Sequence, residues 1–221
     1  MESIQPTPRT KVVRHRERGR YELETIHAIL DEALICHVGY TLDAQPYVLP
    51  TTHARIGDRL YLHGAIANRM LKTLKTGIPV CVTVTLLDGL VLARSAMHHS
   101  MNYRSALILG VAREVSDEYE KLAALDALVN HVVAGRAAGI RGPNALELRT
   151  TTVLRLQIAE ASAKVREGPP IDDEADYSLG CWAGVLPLEL RPGAPIDDPR
   201  LPAGIAVPQQ VAIYERPGWR R

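Results

Sequence analysis

Phenylalanine is absent from all 221 residues, so the core must rest on Leu, Val, Ile and Ala with a few tyrosines and tryptophans. Cysteine is scarce: Cys36, Cys81 and Cys181 are odd in number, lie far apart and form no CxxC pair. That pattern excludes a disulfide framework and a thiolate zinc site. Cys36 and Cys81 sit inside apolar runs and read as inert buried thiols. No apolar run approaches the roughly 20 residues of a membrane helix, and no leader-like segment opens the chain, so the expectation is a soluble, cytoplasmic protein. An excess of one charge is also missing. The balance of 26 Lys and Arg against 25 Asp and Glu leaves a formal +1, which gives no reason to expect nucleic acid or an anionic membrane as partner. There is no Walker loop, no GxGxxG after a strand, no HExxH and no GxSxG, which removes the commonest nucleotide-loop, zinc-peptidase and serine-hydrolase readings.

What is present is strand pattern with a few helices. Residues 1–20 form a basic arm, in which "RTKVVRHRERGR" holds six Arg or Lys; it reads either as a flexible terminus or as an arm laid across a partner subunit. Between Tyr21 and Ala33, apolar residues recur at helical spacing. "ALICHVGYTL" and "QPYVLPTTHARI" run as strands, and Gly57-Asp58 turns the second into "RLYLH". A short helix follows, with Met70, Leu71 and Leu74 inside and Gly77 as its stop. "IPVCVTVTLLDGLVLARSA" reads as a hairpin closed by Asp88-Gly89, and "NYRSALILGVAREV" as a further strand. Asp117 and Glu120 suggest a capping box before a third helix, and "TTTVLRLQIAEASAKV" one last long strand. Residues 166–221 carry nine of the 15 prolines and read as an irregular extension, with "GCWAGVLPLEL" as an apolar island. Six or seven strands joined by short turns, with three helices, imply an antiparallel barrel with helices outside it, not a doubly wound sheet.

Three stretches could cradle a phosphate. Thr51 and Thr52 offer hydroxyls to opposite faces of a strand, although threonine is also simply a favoured strand residue. In "LYLHGAIANRM" the chain leaves a strand on His63 and Gly64 and enters a helix with Asn68 and Arg69 in its first turn. A cation there opposes the helix dipole and calls for a negative partner; the plainer reading is a solvated surface arginine. Asn102, Arg104 and Ser105 lead into an apolar strand, as ligand donors or as an ordinary strand entry. A lone histidine at a strand end such as His63 is more often packed than catalytic. His98 and His99, as neighbours, would face opposite ways in a strand, and no Asp or Glu stands at metal spacing, so a metal site is not expected. Trp182 either plugs a core edge or stacks on a flat aromatic ligand.

"PYVLPTTHARIGDRLYLHGAIANRM" and "VCVTVTLLDGLVLARSAMHHSMNYRSALILGVAREV" resemble the FMN-binding split-barrel family related to pyridoxamine 5'-phosphate oxidase. The closer likeness is to its flavin-nucleotide-binding and nitroimidazole-resistance-like branch, over roughly residues 14–190. The resemblance implies a mainly β chain with peripheral helices: a six-stranded antiparallel split barrel over 21–165, with 166–221 packing on the barrel or on a dimer partner. It implies a homodimer with FMN in the grooves between subunits. By position, Arg69 takes the flavin phosphate with Asn68 beside it, and Thr51 and Thr52 lie along the isoalloxazine. Gly64 lets the backbone approach the ligand, and His63 matches a histidine beside the cofactor in the resistance-like branch, which makes it the candidate catalytic residue. Ser105 stands where the oxidases have glutamine, and Trp182 matches their late cofactor-contacting tryptophan. The oxidase's Arg-x-His is missing from "ERPGWRR", so the expected activity is not that oxidation. Two readings follow. One is an FMN-dependent oxidoreductase passing electrons from a reduced nicotinamide to a small acceptor. The other is a flavin or haem carrier or sensor, with iron held by His63, His98 or His99.

Overall fold

The structure, a computed structural model, describes residues 2–216. A short strand β1 (Gly19–Arg20) leads to helix α1 (Leu23–Glu32), then to β2 (Ile35–Leu42) and β3 (Gln45–Thr52). The chain continues through β4 (Ala54–Ile56), β5 (Arg59–Ala65) and helix α2 (Arg69–Leu74). Two long strands, β6 (Pro79–Leu92) and β7 (Ser100–Val111), are followed by β8 (Arg113–Glu114), α3 (Glu118–Val132) and α4 (Ala145–Thr150). Then come β9 (Thr151–Gln157), β10 (Glu160–Arg166), β11 (Gly184–Pro187) and α5 (Gln209–Ala212).

All strand pairs are antiparallel. One sheet runs β1-β10-β7-β6-β2-β3 with β11 added on β6, and the second runs β4-β5-β9-β8. Alternation along each strand sends Val38, Val82, Val84, Ala106 and Ile108 inward from the first sheet, and Leu60, Leu62, Leu154 and Leu156 inward from the second. Ile26, Ile29 and Leu30 of α1 close one side of this core, and Met70, Leu71 and Leu74 of α2 another. The result is the expected mainly β split barrel with helices outside it, filled by aliphatic side chains in place of the missing phenylalanine.

Several expectations need correction. Asp88-Gly89 is not a hairpin turn: β6 passes straight through it, and the register against β7 slips between Leu87 and Gly89. This is a β-bulge, and two contacts explain it. The Asp88 carboxylate is drawn to Arg104, while a Cβ on Gly89 would lie 3.1 Å from Leu186 O of β11, so the glycine lets a third strand approach. The "last long strand" is two strands, β9 and β10, reversed at Ile158–Ala159, and each joins a different sheet. Its continuous apolar pattern hid the turn because both halves are buried. Asp117 caps α3 by accepting from the Glu120 N–H at 2.7 Å, but the Glu120 carboxylate reaches Tyr61, Arg59 and Arg155 and makes no reciprocal bond to the cap. The full capping box belongs to α4, between Asn144 and Glu147. The second helix starts only at Arg69, and Gly77 ends it at φ 88°.

The N-terminal arm lies on its own chain. β1 pairs with β10, Thr10 is buried, and Thr7 and Arg9 bond the Glu160 carboxylate. Residues from 188 to 208 are almost wholly exposed, yet the tail returns: Arg216 is buried and donates to the carbonyls of Asp31, Glu32 and His131 at 2.8, 2.6 and 2.6 Å. A cation at the C-terminal ends of α1 and α3 is favoured by both helix dipoles. The part of "ERPGWRR" from residue 217 onward lies outside the described residues.

Candidate functional site

The helix that carries Arg69 starts where β5 ends. Asn68 caps it, its side-chain oxygen accepting from the Leu71 N–H at 3.1 Å. Arg69 is exposed, and its guanidinium carbon lies 5.0 Å from the ring centroid of Tyr47 on β3. Tyr47 stacks in turn on Tyr40 at 5.4 Å. Among the described residues no carboxylate stands within ion-pair distance of Arg69. Its fork is therefore held in place by an aromatic face and left free for an anion. Sequence reasoning passed over Tyr47, although an aromatic on the strand facing a predicted basic helix start was the available signal.

β3 is the edge of the first sheet, and period-two alternation puts Tyr47, Leu49 and Thr51 on its inner side. Arg69, Tyr47 and Thr51 thus line one face, with Leu49 between them 39% exposed. Thr52 points the other way with Ile35, its cross-strand partner.

Gly64 meets the helix, with its missing Cβ replaced by Leu71 Cδ1, 3.0 Å from where that Cβ would stand. Packing against α2 therefore accounts for the glycine without a ligand. His63 sits on the opposite face of β5, beside Tyr61 and cross-strand from Val153, on the side covered by α3. Its Nδ1 is buried without a partner among the described residues, and burial holds the ring's pKa below the ordinary histidine value. At neutral pH His63 is a neutral imidazole, so proton donation near pH 7 is disfavoured relative to the expectation from an unperturbed ring.

Asn102 and Arg104 have partners inside the chain. Arg104 is bidentate to both Glu32 and Asp88, tying the end of α1 to the β6 bulge. Those carboxylates raise the Arg104 pKa further, against the opposing effect of burial. Asn102 accepts from Arg166 and donates to Gly168 O at 3.1 Å. Ser105 faces outward from the first sheet, and Trp182 is 69% exposed, its ring lying over Gly184. The predicted residues therefore divide. Thr51, Gly64, Asn68 and Arg69 gather around β3 and α2, whereas Thr52, Ser105 and Trp182 look out from the other face of the sheet. No group of three or more His, Cys, Asp or Glu among the described residues could hold a metal ion.

Together these features define a split-barrel protein with an aromatic-backed arginine between β3 and the start of α2. Residues 22–165 match the pyridoxamine 5'-phosphate oxidase family, and the chain belongs to that family. Among solved structures it is similar to the flavocytochrome Anf3 of Azotobacter vinelandii, at 43% identity over 94% of this chain and 97% of that one, TM-score 0.88. It is also similar to the FAD- and haem-binding protein of Mycobacterium smegmatis, at 36% identity over 88% and 95%, TM-score 0.84. A proposed 5-nitroimidazole resistance protein of Bacteroides thetaiotaomicron shares 27% identity over 66% of this chain and 86% of that chain, TM-score 0.57. A search of curated proteins finds no match. No helix among the described residues is long and apolar enough to cross a membrane.

Proposed function

We propose that this chain is a flavin-dependent electron-transfer protein that also carries haem, and that its flavin phosphate is held by Arg69. The observation that carries the reading is the Arg69 guanidinium, pinned over Tyr47 with no acidic partner among the described residues, at the end of the runway that leads to Thr51. Extensive identity to a flavocytochrome and to an FAD- and haem-binding protein supports it. A bound flavin supplies two-electron exchange with a nicotinamide and one-electron exchange with an acceptor. The chain's own part is positioning. Arg69 fixes the phosphate end, Thr51 offers a hydroxyl along the strand, and neutral His63 keeps a buried ring behind the β5–α2 turn. The family motif points to FMN, while the Mycobacterium smegmatis relative favours FAD.

The residues that face outward belong in the same reading if a second copy covers the outer face of the first sheet. Ile35, Val48, Leu87 and Met101 lie there 52%, 65%, 45% and 51% exposed. Exposed apolar side chains of this kind are what a second copy would bury, and Thr52 and Ser105 lie on that same face, across the sheet from Arg69 and Thr51.

Purified protein tests this directly. A yellow chromophore bleached by NAD(P)H, with a Soret band beside it, is the expected spectrum, and mass analysis of the released flavin decides between FMN and FAD. A colourless protein that gains neither band on incubation with flavin and haemin would overturn the proposal. Yellow protein that no nicotinamide reduces would favour a carrier.

A further inference from the structure

The sequence left three histidines as possible iron ligands, and the structure separates them. At one end of the first sheet, β11, β6 and β7 run side by side with Leu186, Leu90 and Met101 directly opposite one another. They share one outward face, opposite buried Val91. Leu186 and Met101 are each 51% exposed. Leu92 continues this face, and the Trp182 ring lies over it at Gly184, with ring carbons 2.8 and 3.1 Å from where a Cβ would stand. These apolar side chains lie side by side on three paired strands.

His99 stands two residues before Met101 in extended backbone. Its ring is exposed, and Nδ1 lies 2.9 Å from the Ser95 carbonyl, which can only accept. Nδ1 is therefore the donor in this bond, and Nε2 makes no hydrogen bond among the described residues. This is the arrangement that prepares an imidazole to bind a metal. His15 shares it, with Nδ1 3.3 Å from Glu17 Oε1, but stands in the N-terminal arm, and His27 directs Nε2 to Asp58 at 3.2 Å. His53 and His131 direct Nε2 to the carbonyls of Leu30 and Ala33, and His53 is fully buried. His98 directs Nε2 to Asp173 at 3.3 Å. His63 has no partner for its buried Nδ1 among the described residues, so no bond fixes its tautomer.

Polar groups flank the same platform. Arg94 Nε, Ser95 Oγ and Arg166 Nε are three of the seven buried side-chain atoms without a partner among the described residues. Ser95 belongs to the turn that His99 closes, Arg94 stands two residues after Leu92, and Arg166 pairs across from Tyr103, two residues beyond Met101. Arg94 pairs with Asp172, and Arg166 donates to Asn102 and to the Gly168 and Pro169 carbonyls, so two guanidinium groups are fixed beside the platform, where positive charge favours a ligand with an anionic edge.

We infer that the Leu186–Leu90–Met101 face with Trp182 is the haem-binding surface, and that His99 Nε2 is the axial ligand to its iron. His99 would hold the haem iron by one side-chain bond, so no multi-residue metal cluster would be needed. The inference rests on the proposal that the second group is haem, and it adds the site.

The test compares His99→Ala, His98→Ala and His63→Ala in the full-length chain, each purified with its flavin and titrated with haemin. His99→Ala should weaken haemin binding by more than about tenfold and shift the Soret band, with the flavin absorbance unchanged as evidence of folding. His99→Gly supplied with imidazole should regain the wild-type Soret position, which a merely structural role would not give. Unchanged haemin affinity and spectrum in His99→Ala, or loss of haem in His63→Ala or His98→Ala instead, would overturn the site while leaving haem binding intact. Wild-type protein that takes up no haemin would sink the haem reading itself. A His99→Ala effect confined to the mass of the protein in solution would reassign the face to contact between copies.

Discussion

The inner face of the first sheet buries Val38, Val82, Val84, Ala106 and Ile108, all no more than 2% exposed, against α1, α2 and the second sheet. The outer face of the same strands carries Ile35, Val48, Leu87 and Met101, between 45% and 65% exposed. The inner set is covered by this chain, whereas the outer set shares its face with His37, Thr41 and Thr85, which are exposed too. Burial at about 25 cal/mol per Å² accounts for the inner set, whereas the outer set stays largely in solvent in the single chain. The two faces do different work: the inner one makes the fold, and the outer one is the face proposed above for a second copy.

The largest effect should come from breaking the charged clasp that closes the inner face. Glu32 is 7% exposed and bidentate to Arg104, so Glu32→Ala leaves a largely buried guanidinium with half its partners. Stability should fall by about 3 kcal/mol, read by chemical denaturation, with the outer face untouched. A loss under about 1 kcal/mol would show that Asp88 alone suffices.

Acid should loosen the same region. His53 is fully buried, packed 4.7 Å from the His131 ring, and its pKa is lowered to about 4 by burial and by the neighbouring His131. A depressed histidine favours the fold while neutral. Its contribution is complete above the unfolded value near 6.5 and is lost as pH falls toward 4, roughly 3 kcal/mol in all. His131, depressed in the same direction, adds to the loss, and Arg216 beside it opposes protonation. Melting temperature should therefore drop between pH 6.5 and 4, and His53→Gln should flatten that slope. An equal slope in the variant would remove His53 from the account.

On the outer face, Leu87→Glu should convert a dimer to monomer in light scattering without lowering the unfolding free energy of the chain, since Leu87 is 45% exposed. A stable dimer should bury well over about 1,000 Å² in total. A wild-type monomer at micromolar concentration would contradict the assignment of this face to a second copy.

The smallest effect lies at the hairpin between β2 and β3, where Asp43 and Ala44 both have positive φ, 51° and 61°. A left-handed alanine is strained by its Cβ, so Ala44→Gly should stabilise the protein by up to about 1 kcal/mol. A decrease would mean that the added chain entropy of glycine outweighs the relief.

Much of this was legible in the chain. Period-two runs and turn residues located β2, β3 and β5, and the apolar spacing of Met70, Leu71 and Leu74 placed α2 with its buried face. Two features were not readable. Asp88-Gly89 carries hairpin chemistry, but its role depends on Arg104 and Leu186, sixteen and ninety-eight residues away. The β9–β10 reversal has no glycine or proline to mark it. For the site, the chemistry of Arg69 could be read locally, while its stacking on Tyr47 required the fold. Arg104 looked like a ligand donor because its carboxylate partners lie on other elements.

The claim at the centre is that Arg69 holds the flavin phosphate. Flavin titration of Arg69→Ala against wild type, followed by fluorescence, tests it most directly. A lost charge-assisted phosphate contact of roughly 1.5–3 kcal/mol predicts an affinity ten- to a hundredfold weaker, with an unchanged melting temperature for the flavin-free chain. Equal flavin affinity in the two proteins would contradict it.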